Sequence, residues 1–599
     1  GEQLKETGAG DVANALKYKG GVYFTNMGPH DQNWITGSSQ INLRGIDGGT
    51  LVLINGVPAS FNNVNHLDML NLDEVERVEI VKGGGAVLYG SEALGGVVNI
   101  ITKDQMKNSL RVAAGNKGQR DYAATIGMGK ASLALGRNEF GSTGNMTERL
   151  GTKKINGTAV PYYIGFGDSK KDHLAFNYKF DDRFKFSYMF NKKKYTTNYN
   201  DVNENILQHF MYDDREHFAQ IAYNDENGWD AKIYYNQRRI ENPDYYVVNP
   251  TNVEWEKSDH KQYGLDTKKV WRSDKATGLI GISAKRETYK NDNQKFKTFG
   301  DSSSILKDPA HFGTYALNNY SVYGSYDRKL SRATNIIFSA REDFIRSEAG
   351  DYNEFLPQIQ AITKFDEHNS AYASVGKSFR MPTFRNLYYA SSVVVPNPDL
   401  EAEHGWNYEI GYKYSENGRR LNLTAFRIDI KDQIVAVKNL VDNKSYQTNA
   451  AKYRNTGIEL RYEQDVDKHF TYNVGAVFAK PQRMYKEGQA WVDTLGRYQI
   501  NGGVNYVNRD FSAALNLSYW GNRFKNGVSS EKITVTEISS PLLVSNLHLG
   551  YNVAKNVTAT FDVDNLFNRK DIANVGGTSN NNLYYTMGRT FRVGVNYNF

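Results

Sequence analysis

From about Met106 to the end of the chain, apolar side chains recur at every second position. Leu174, Phe176, Tyr178 and Phe180 alternate with polar or small neighbours, an Asp181-Asp182 turn follows, and Phe184, Phe186, Tyr188 and Phe190 resume the alternation. A period of two places all eight on one face of a β-hairpin. The device returns after Glu226-Asn227-Gly228, where Trp229, Ala231, Ile233 and Tyr235 share a face, and in Trp406, Tyr408, Ile410, Tyr412 and Tyr414 before Glu416-Asn417-Gly418. Val557, Ala559, Phe561 and Val563 repeat it near the end, as do Phe591, Val593, Val595, Tyr597 and the terminal Phe599.

One apolar and one polar face, repeated many times, fits either a water-facing sandwich or a membrane barrel. The connections favour the barrel. Some are tight turns; others are long polar stretches, namely Gly141–Lys171, Tyr195–Asp214, Glu241–His260 and Arg385–His404. Short turns on one rim and long loops on the other are the outer-membrane arrangement, with the apolar face toward lipid and the polar face toward the lumen. Residues 106–599 then supply about 22 antiparallel strands at about 22 residues per strand and connection, whereas about 16 strands need longer loops than the sequence offers.

The first 105 residues read differently. Asp11 is placed to cap a helix within Gly10–Lys19, and a Gly-flanked strand or turn follows within Gly20–Gly28. Leu51–Ile54, Val75–Val81 and Val97–Ile101 are short apolar runs bounded by Gly, Asp or Asn, as strands of a small compact unit are. Gly83-Gly84-Gly85, Gly90 and Gly95-Gly96 crowd between the last two, where the backbone must turn tightly or approach closely. A phosphate loop is a poor fit, because no GKS or GKT is present and no GxGxxG opens a helix. Pro29–Trp34 and Phe61–His66 are polar loops, carrying His30, Trp34, Asn62, Asn63, Asn65 and His66.

Linked motifs in this region resemble the plug domain of TonB-dependent outer-membrane receptors. They are Asn42-Leu43-Arg44-Gly45, Ile54-Asn55-Gly56-Val57, Arg77-Val78-Glu79-Ile80-Val81-Lys82-Gly83, and Leu88-Tyr89-Gly90-Ser91 continuing through Ala93-Leu94-Gly95-Gly96-Val97-Val98-Asn99-Ile100. Val563–Arg569 resembles the Asn-Leu-Phe segment near the end of such receptors, and the closing aromatic resembles a barrel insertion signal. Phe379-Arg380-Met381-Pro382 and Asn397-Pro398-Asp399-Leu400 resemble paired boxes flanking a long outer loop. The resemblance implies an all-β transmembrane barrel of about 22 strands with an α+β plug inside its lumen, divided as 1–105 and 106–599.

Composition agrees. The chain holds 41 Tyr against 29 Phe, 7 Trp and only 12 Pro, and Tyr suits strand ends at a membrane–water interface. Mean hydropathy is −0.62, and no apolar run is long enough for a membrane-spanning helix. Cysteine is absent, which removes disulfides and thiolate metal sites. A net charge of +7 on 73 basic and 66 acidic residues is mild, and no tract is dense enough for nucleic acid. The chain opens on Gly1 without a leader, so the TonB-binding segment is expected upstream of it.

No GxSxG or HExxH anchors a catalytic site, and an enzyme is not expected. The resemblance implies active import across the outer membrane of a Gram-negative bacterium by a monomer with no intrinsic cofactor, energised through TonB and its inner-membrane complex. Its ligand binds between plug apex and outer loops. Three ligand classes fit the family: ferric siderophore, heme and cobalamin. For a siderophore the useful groups are aromatics and cations: Tyr245, Tyr246, Trp255, Arg385, Tyr388 and Tyr389 on the loops, with Trp34 on the plug. For heme, His66 lies in a loop resembling one that carries an axial ligand, but no His lies between the two boxes and His404 falls after them. For cobalamin, Asp201, Asn203 and Glu204 with Asp213 and Asp214 are candidates for a calcium loop; a solvated acidic loop is the favoured reading, because no EF-hand-like spacing is present. An iron chelate, siderophore first, is the leading ligand class. A non-transporting adhesin and a passive porin are the alternatives of another kind.

Overall fold

The computed structural model describes the chain apart from residues 1–3, 5–6, 25–40, 47, 84–85, 91, 156–157, 248–252, 256, 293, 297–304, 307–311, 391–393, 529–532, 539 and 577–581. Twenty-two antiparallel strands close into a ring. Each pairs with the next around the barrel, and the last, Thr590–Asn598, pairs back onto the first, Ser109–Gly115. Closure removes the sheet edges that lipid could not hydrogen-bond.

The period-two pattern sets which face meets lipid. Leu174 sits opposite Phe190, Phe176 opposite Tyr188 and Tyr178 opposite Phe186. Ile233, Ile282, Ile410, Phe561 and Val593 are among the exposed apolar side chains, and Phe591, Val595, Tyr597 and Phe599 continue that face to the terminus. Their neighbours turn inward, where Asn191, Lys193, Gln262, Asn407 and Ser518 are buried against the lumen contents. Several of the tight turns share one device. A side chain at the turn's start accepts the next two exposed N–H groups: Asp181 from Arg183 and Phe184 (both 2.8 Å), Asp467 from His469 and Phe470 (2.7 and 2.8 Å), Asn508 from Asp510 and Phe511 (2.9 and 2.7 Å).

Most of the expected long loops are strand. Thr158–Lys179, Phe184–Asn200, Ile206–Asn224 and Trp229–Val247 run for 22, 17, 19 and 19 residues. A membrane crossing takes only about 9–11. Tyr195–Asp214 is therefore a hairpin whose turn is residues 201–205, and Glu241–His260 continues one strand and begins the next, Lys257–Arg272. Beyond the lipid both faces of a strand are wet, so alternation fades while pairing continues. Arg385–His404 keeps a loop's character, carrying a helix at Phe384–Tyr388 and a two-residue strand at Val394–Val395.

Inside the ring, β1 (Val22–Phe24) pairs with β2 (Ile41–Leu43). A second sheet runs β4 (Val57–Pro58), β3 (Thr50–Ile54), β6 (Gly96–Thr102), β5 (Val75–Lys82), with β3 parallel to β6 and β5 antiparallel to it. The expected helix is Val12–Leu16, capped by the Asp11 side chain. Gly96 has φ +138°, and a Cβ there would lie 2.3 Å from the Val81 carbonyl oxygen, so glycine alone fits between β5 and β6. The plug core, including Val12, Leu16, Val22, Ile41, Leu43, Val52, Val98 and Ile100, continues onto Met189, Phe218 and Trp520 of the wall.

The wall also hydrogen-bonds plug backbone from many directions. Tyr453 and Asn455 donate to the Arg44 carbonyl (3.2 and 3.0 Å), Gln499 to Val22, Asn501 to Tyr18, Gln262 to Ser60 and Asn236 to Pro58. These bonds satisfy carbonyls that water cannot reach. No helix among the described residues is long and apolar enough to cross a membrane, which says nothing of strands.

Candidate functional site

The plug apex is a turn built by Phe61–Val64, which bridge antiparallel through mutual backbone hydrogen bonds of 3.0 Å. Asn62 and Asn63 occupy its centre with φ +53° and +59°, the left-handed region that asparagine tolerates. Beyond the turn, Asn65 and His66 are buried. His66 Nδ1 lies 2.7 Å from Glu216 Oε1 and 3.7 Å from Asp214 Oδ2 on the wall, and Arg238 donates to Asp214 at 2.7 Å. His66, read from sequence as part of a polar loop, is buried and pinned to the barrel. Its Nδ1 is engaged by Glu216.

Aromatic rings continue from this turn to the outer loop. Phe61 meets His260 edge-on at 5.2 Å between centroids, His260 meets Phe384 at 5.5 Å, and Phe384 stacks on Tyr289 at 5.7 Å. Tyr388, one helical turn from Phe384, stacks on Tyr315 at 3.8 Å, and Arg385 covers the Tyr389 ring at 4.1 Å. The helix is fixed by a capping box between Thr383 and Asn386. Asn386 also accepts the Asn397 N–H at its carbonyl (2.9 Å), which ties this helix to the second box noted in sequence. Arg380 of the first box pairs with the buried Glu403 just past the second at 2.7 Å. Burial, with Glu348 and Tyr315 adding to it, pushes the Tyr388 hydroxyl up to about 12, so it remains a phenol and a donor at physiological pH.

A lower tier ties plug to wall by charge. The buried Arg44 side chain reaches Glu409 and Glu459, lies 4.2 Å from the Phe426 ring, and is joined at Glu459 by Lys82 at 3.0 Å. Asp68, also buried, receives Lys193 at 2.7 Å and Lys171 at 3.1 Å. Glu74 of the plug meets His173 of the wall. Glu92 sits at φ +78° and donates its N–H to the Phe379 carbonyl at 3.2 Å. Burial and Glu287 raise its carboxyl to about 7 against the opposing pull of Lys285 and Arg380. A raised carboxyl contributes most when protonated, and that contribution is lost as pH rises from the ordinary glutamate range through about 7. Glu92→Gln is therefore expected to stabilise the protein more at pH 8 than at pH 5 in denaturant titrations; equal effects at both would contradict the assignment.

His30 and Trp34 lie outside the described residues, as do the side chains of Tyr245, Tyr246 and Trp255, whose backbones are in strands. The calcium loop does not assemble. Asp201 accepts the N–H groups of Asn203 and Asn205 (2.8 and 2.9 Å), Asp213 is held by Arg215 and Asp214 by Arg238. Asp213 and Asp214 are adjacent in a strand and so project to opposite faces. Among the described residues, the ligating atoms of His66, Asp214 and Glu216 do converge within 4.8 Å, but Arg238 and the His66–Glu216 contact already engage them.

A closed ring, apolar outside and filled by a folded N-terminal unit bound to its wall, defines a plugged transmembrane barrel. The chain belongs to the TonB-dependent receptors: a family model for the TonB-dependent receptor-like β-barrel matches residues 156–566, and one for the receptor plug domain matches residues 1–97. These receptors are outer-membrane proteins of Gram-negative bacteria rather than enzymes. Among curated relatives, the vitamin B12 transporter BtuB of Vibrio vulnificus is 22% identical, over 100% of this chain and 91% of its own length. The ferric enterobactin receptor of Pseudomonas aeruginosa is likewise 22% identical, over 94% of this chain and 87% of its own. In fold, the enterobactin-bound mutant of the P. aeruginosa receptor PfeA superposes with a TM-score of 0.73 at 17% identity, covering 100% of this chain and 99% of the other. The siderophore receptor PirA of Acinetobacter baumannii gives 0.72 at 15% identity, covering 100% and 98%.

Proposed function

We propose that this chain imports an iron chelate, a ferric siderophore first, across the outer membrane, with residues 1–105 as plug and 106–599 as barrel. TonB and its inner-membrane complex supply the energy, and no covalent step, cofactor or oligomeric partner enters the mechanism. The observation that carries the reading is the aromatic chain from Phe61 through His260 and Phe384 to Tyr289, with Tyr388 and Arg385 beside it. Flat rings and a guanidinium suit an anionic or aromatic chelate. Because the chain begins on the plug, a ligand that rearranges it bears directly on the plug, and only such a difference in affinity between states can drive opening. The relative that is a ferric enterobactin receptor supports this class, and the relative that is a cobalamin transporter keeps cobalamin as the second reading. Heme is less well supported, with no His between the boxes.

The test is growth of a deletion strain, with and without the gene, on defined iron sources and on cobalamin. Restored growth on a ferric siderophore, dependent on TonB, is the expected result. Rescue on cobalamin alone selects the second reading, and TonB-independent rescue sinks active import. Tyr388→Ala is expected to raise the half-saturating chelate concentration about tenfold, as loss of an aromatic anchor does. An unchanged value removes the outer-loop helix from the site.

A further inference from the structure

On the outer face of the ring, a furrow of about 780 Å³ runs across six neighbouring strands, from Phe184–Asn200 to Phe312–Lys329. Ile221, Ile233, Leu265 and Tyr320 wall it and are among the exposed apolar side chains, whereas Ala219 and Ala284 leave room between them. It opens on the membrane, so what fills it is an acyl chain. The row of the furrow farther from the short turns holds Tyr235, Tyr263, Arg286 and Asn318, paired strand to strand. The two tyrosine rings lie 5.1 Å apart, and Arg286 donates to the Asn318 side-chain oxygen at 2.9 Å.

Arg286 is the last of a run. Six consecutive strands, Thr158–Lys179 through Ala276–Asp292, each turn a cation outward: Lys170, Lys194, Arg215, Arg239, Lys261 and Arg286. Each shares a face with lipid-facing residues of its own strand, as Arg239 does with Ile233 and Arg286 with Ile282. Each also stands roughly 9–11 residues, one membrane crossing, from the short-turn end of its strand. The run therefore marks the outer surface of the lipid. At the same height the next three strands present Tyr320, Phe344 and Phe355, and the run ends.

Most of the run is already paired, and the pairing has a direction. Asp213 takes Lys192, Lys194 and Arg215 at 3.6, 3.7 and 2.8 Å, Glu241 takes Arg239 at 3.0 Å, and Asp259 takes Lys261 at 3.5 Å. Asp213, Glu241 and Asp259 lie two residues farther from the short turns than Arg215, Arg239 and Lys261, so they hold these cations from the side away from lipid. Lys170 reaches Glu139 at 3.7 Å, and Asp172, on the lipid side of Lys170, is taken by Arg137 at 2.6 Å. Arg286 differs. Among the described residues it enters no ion pair, and its partner is the neutral Asn318 amide.

The geometry points to a binding site for a phosphorylated lipid of the outer leaflet, with a phosphate on Arg286 and an acyl chain in the furrow beneath it. A guanidinium meets phosphate oxygens through parallel N–H···O bonds, and Arg286 has no carboxylate to give up in making them. Lys261 and Arg239, on the next two strands, continue the positive rim, as basic pockets for lipid headgroups do. In the outer leaflet of a Gram-negative outer membrane that lipid is lipopolysaccharide, through its lipid A. The site lies outside the ring and holds whichever ligand the lumen imports.

The test uses purified receptor in detergent, titrated with lipid A, with lipid A stripped of its phosphates, and with phosphatidylglycerol, bound lipid being counted by native mass spectrometry. Wild type is expected to bind lipid A about tenfold tighter than the dephosphorylated form, a comparison that needs no variant. Arg286→Ala is expected to lose about tenfold in lipid A affinity, and Ala284→Trp, which fills the furrow, to lose as much. Arg427→Ala removes an outward cation on another arc, paired with Asp429 at 2.8 Å, and is expected to change nothing. Equal binding with and without phosphates, or equal losses at Arg286 and Arg427, overturns the phosphate site. Unchanged affinity in Ala284→Trp overturns the furrow as the acyl seat. Phosphatidylglycerol bound as tightly as lipid A overturns the outer-leaflet assignment.

Discussion

Arg44→Ala is expected to weaken the seating of the plug by about 3–5 kcal/mol, the range for removing one partner from a buried ion pair. Arg44 is almost wholly buried and bridges Glu409 and Glu459, which lie on two different barrel strands. Its loss leaves two carboxylates facing one another with Lys82 alone to compensate, at Glu459. The backbone adds to the commitment: φ is +54°, and the carbonyl accepts hydrogen bonds from Tyr453 and Asn455. Arg44→Lys is expected to recover only part, because an ammonium on a flexible stem replaces a fork that spans two acceptors. Adding Glu409→Ala to Arg44→Ala should recover more, since it removes the stranded charge rather than restoring the pair. Denaturant midpoints and protease sensitivity of the plug in detergent measure all three variants. If Arg44→Ala leaves the midpoint where it was, this group is not what seats the plug.

The asymmetry between what the sequence revealed and what it hid follows from distance along the chain. The strands Leu51–Ile54, Val75–Val81 and Val97–Ile101 were legible because short apolar runs between glycines are local signals, and each lies within a plug strand. The lipid-facing alternation was equally plain, since lipid permits nothing polar on that face. Above the lipid that constraint ends, and Tyr195–Asp214 reads as loop although it is hydrogen-bonded strand apart from its turn. Arg44 stood inside a recognisable motif, but Glu409 and Glu459 are 365 and 415 residues away and look like any other polar position on a lumen face. The same holds for His66 and Glu216, 150 residues apart. The aromatic chain was half visible: Tyr388, Tyr389 and Arg385 lie beside the first box, whereas Phe61, His260, Tyr289 and Tyr315 carry no local mark. A turn closing over Asn62-Asn63 was a signal available in the sequence and passed over, because two adjacent asparagines favour left-handed backbone.

The second large effect belongs to Asp68, the plug carboxylate that two wall lysines share. Asp68→Asn is expected to cost about 3–5 kcal/mol, because Lys171 and Lys193 are both buried and both pair with it. Burial by itself raises the Asp68 carboxyl, but Lys171, Lys193 and His66 outweigh it and hold the group well below the ordinary aspartate range. A carboxyl depressed in the folded state contributes its full stabilisation above its unfolded value of about 3.9 and loses it as pH falls below that toward the folded one. The gap between wild type and Asp68→Asn should thus be flat from pH 5 to pH 8 and close only in stronger acid. Asp68→Asn with Lys193→Met should recover part of the loss, as removal of the stranded cation requires. Denaturant titrations across that pH range decide the matter. A gap that narrows between pH 8 and pH 5 would mean that the two lysines do not hold the Asp68 carboxyl below the ordinary aspartate range.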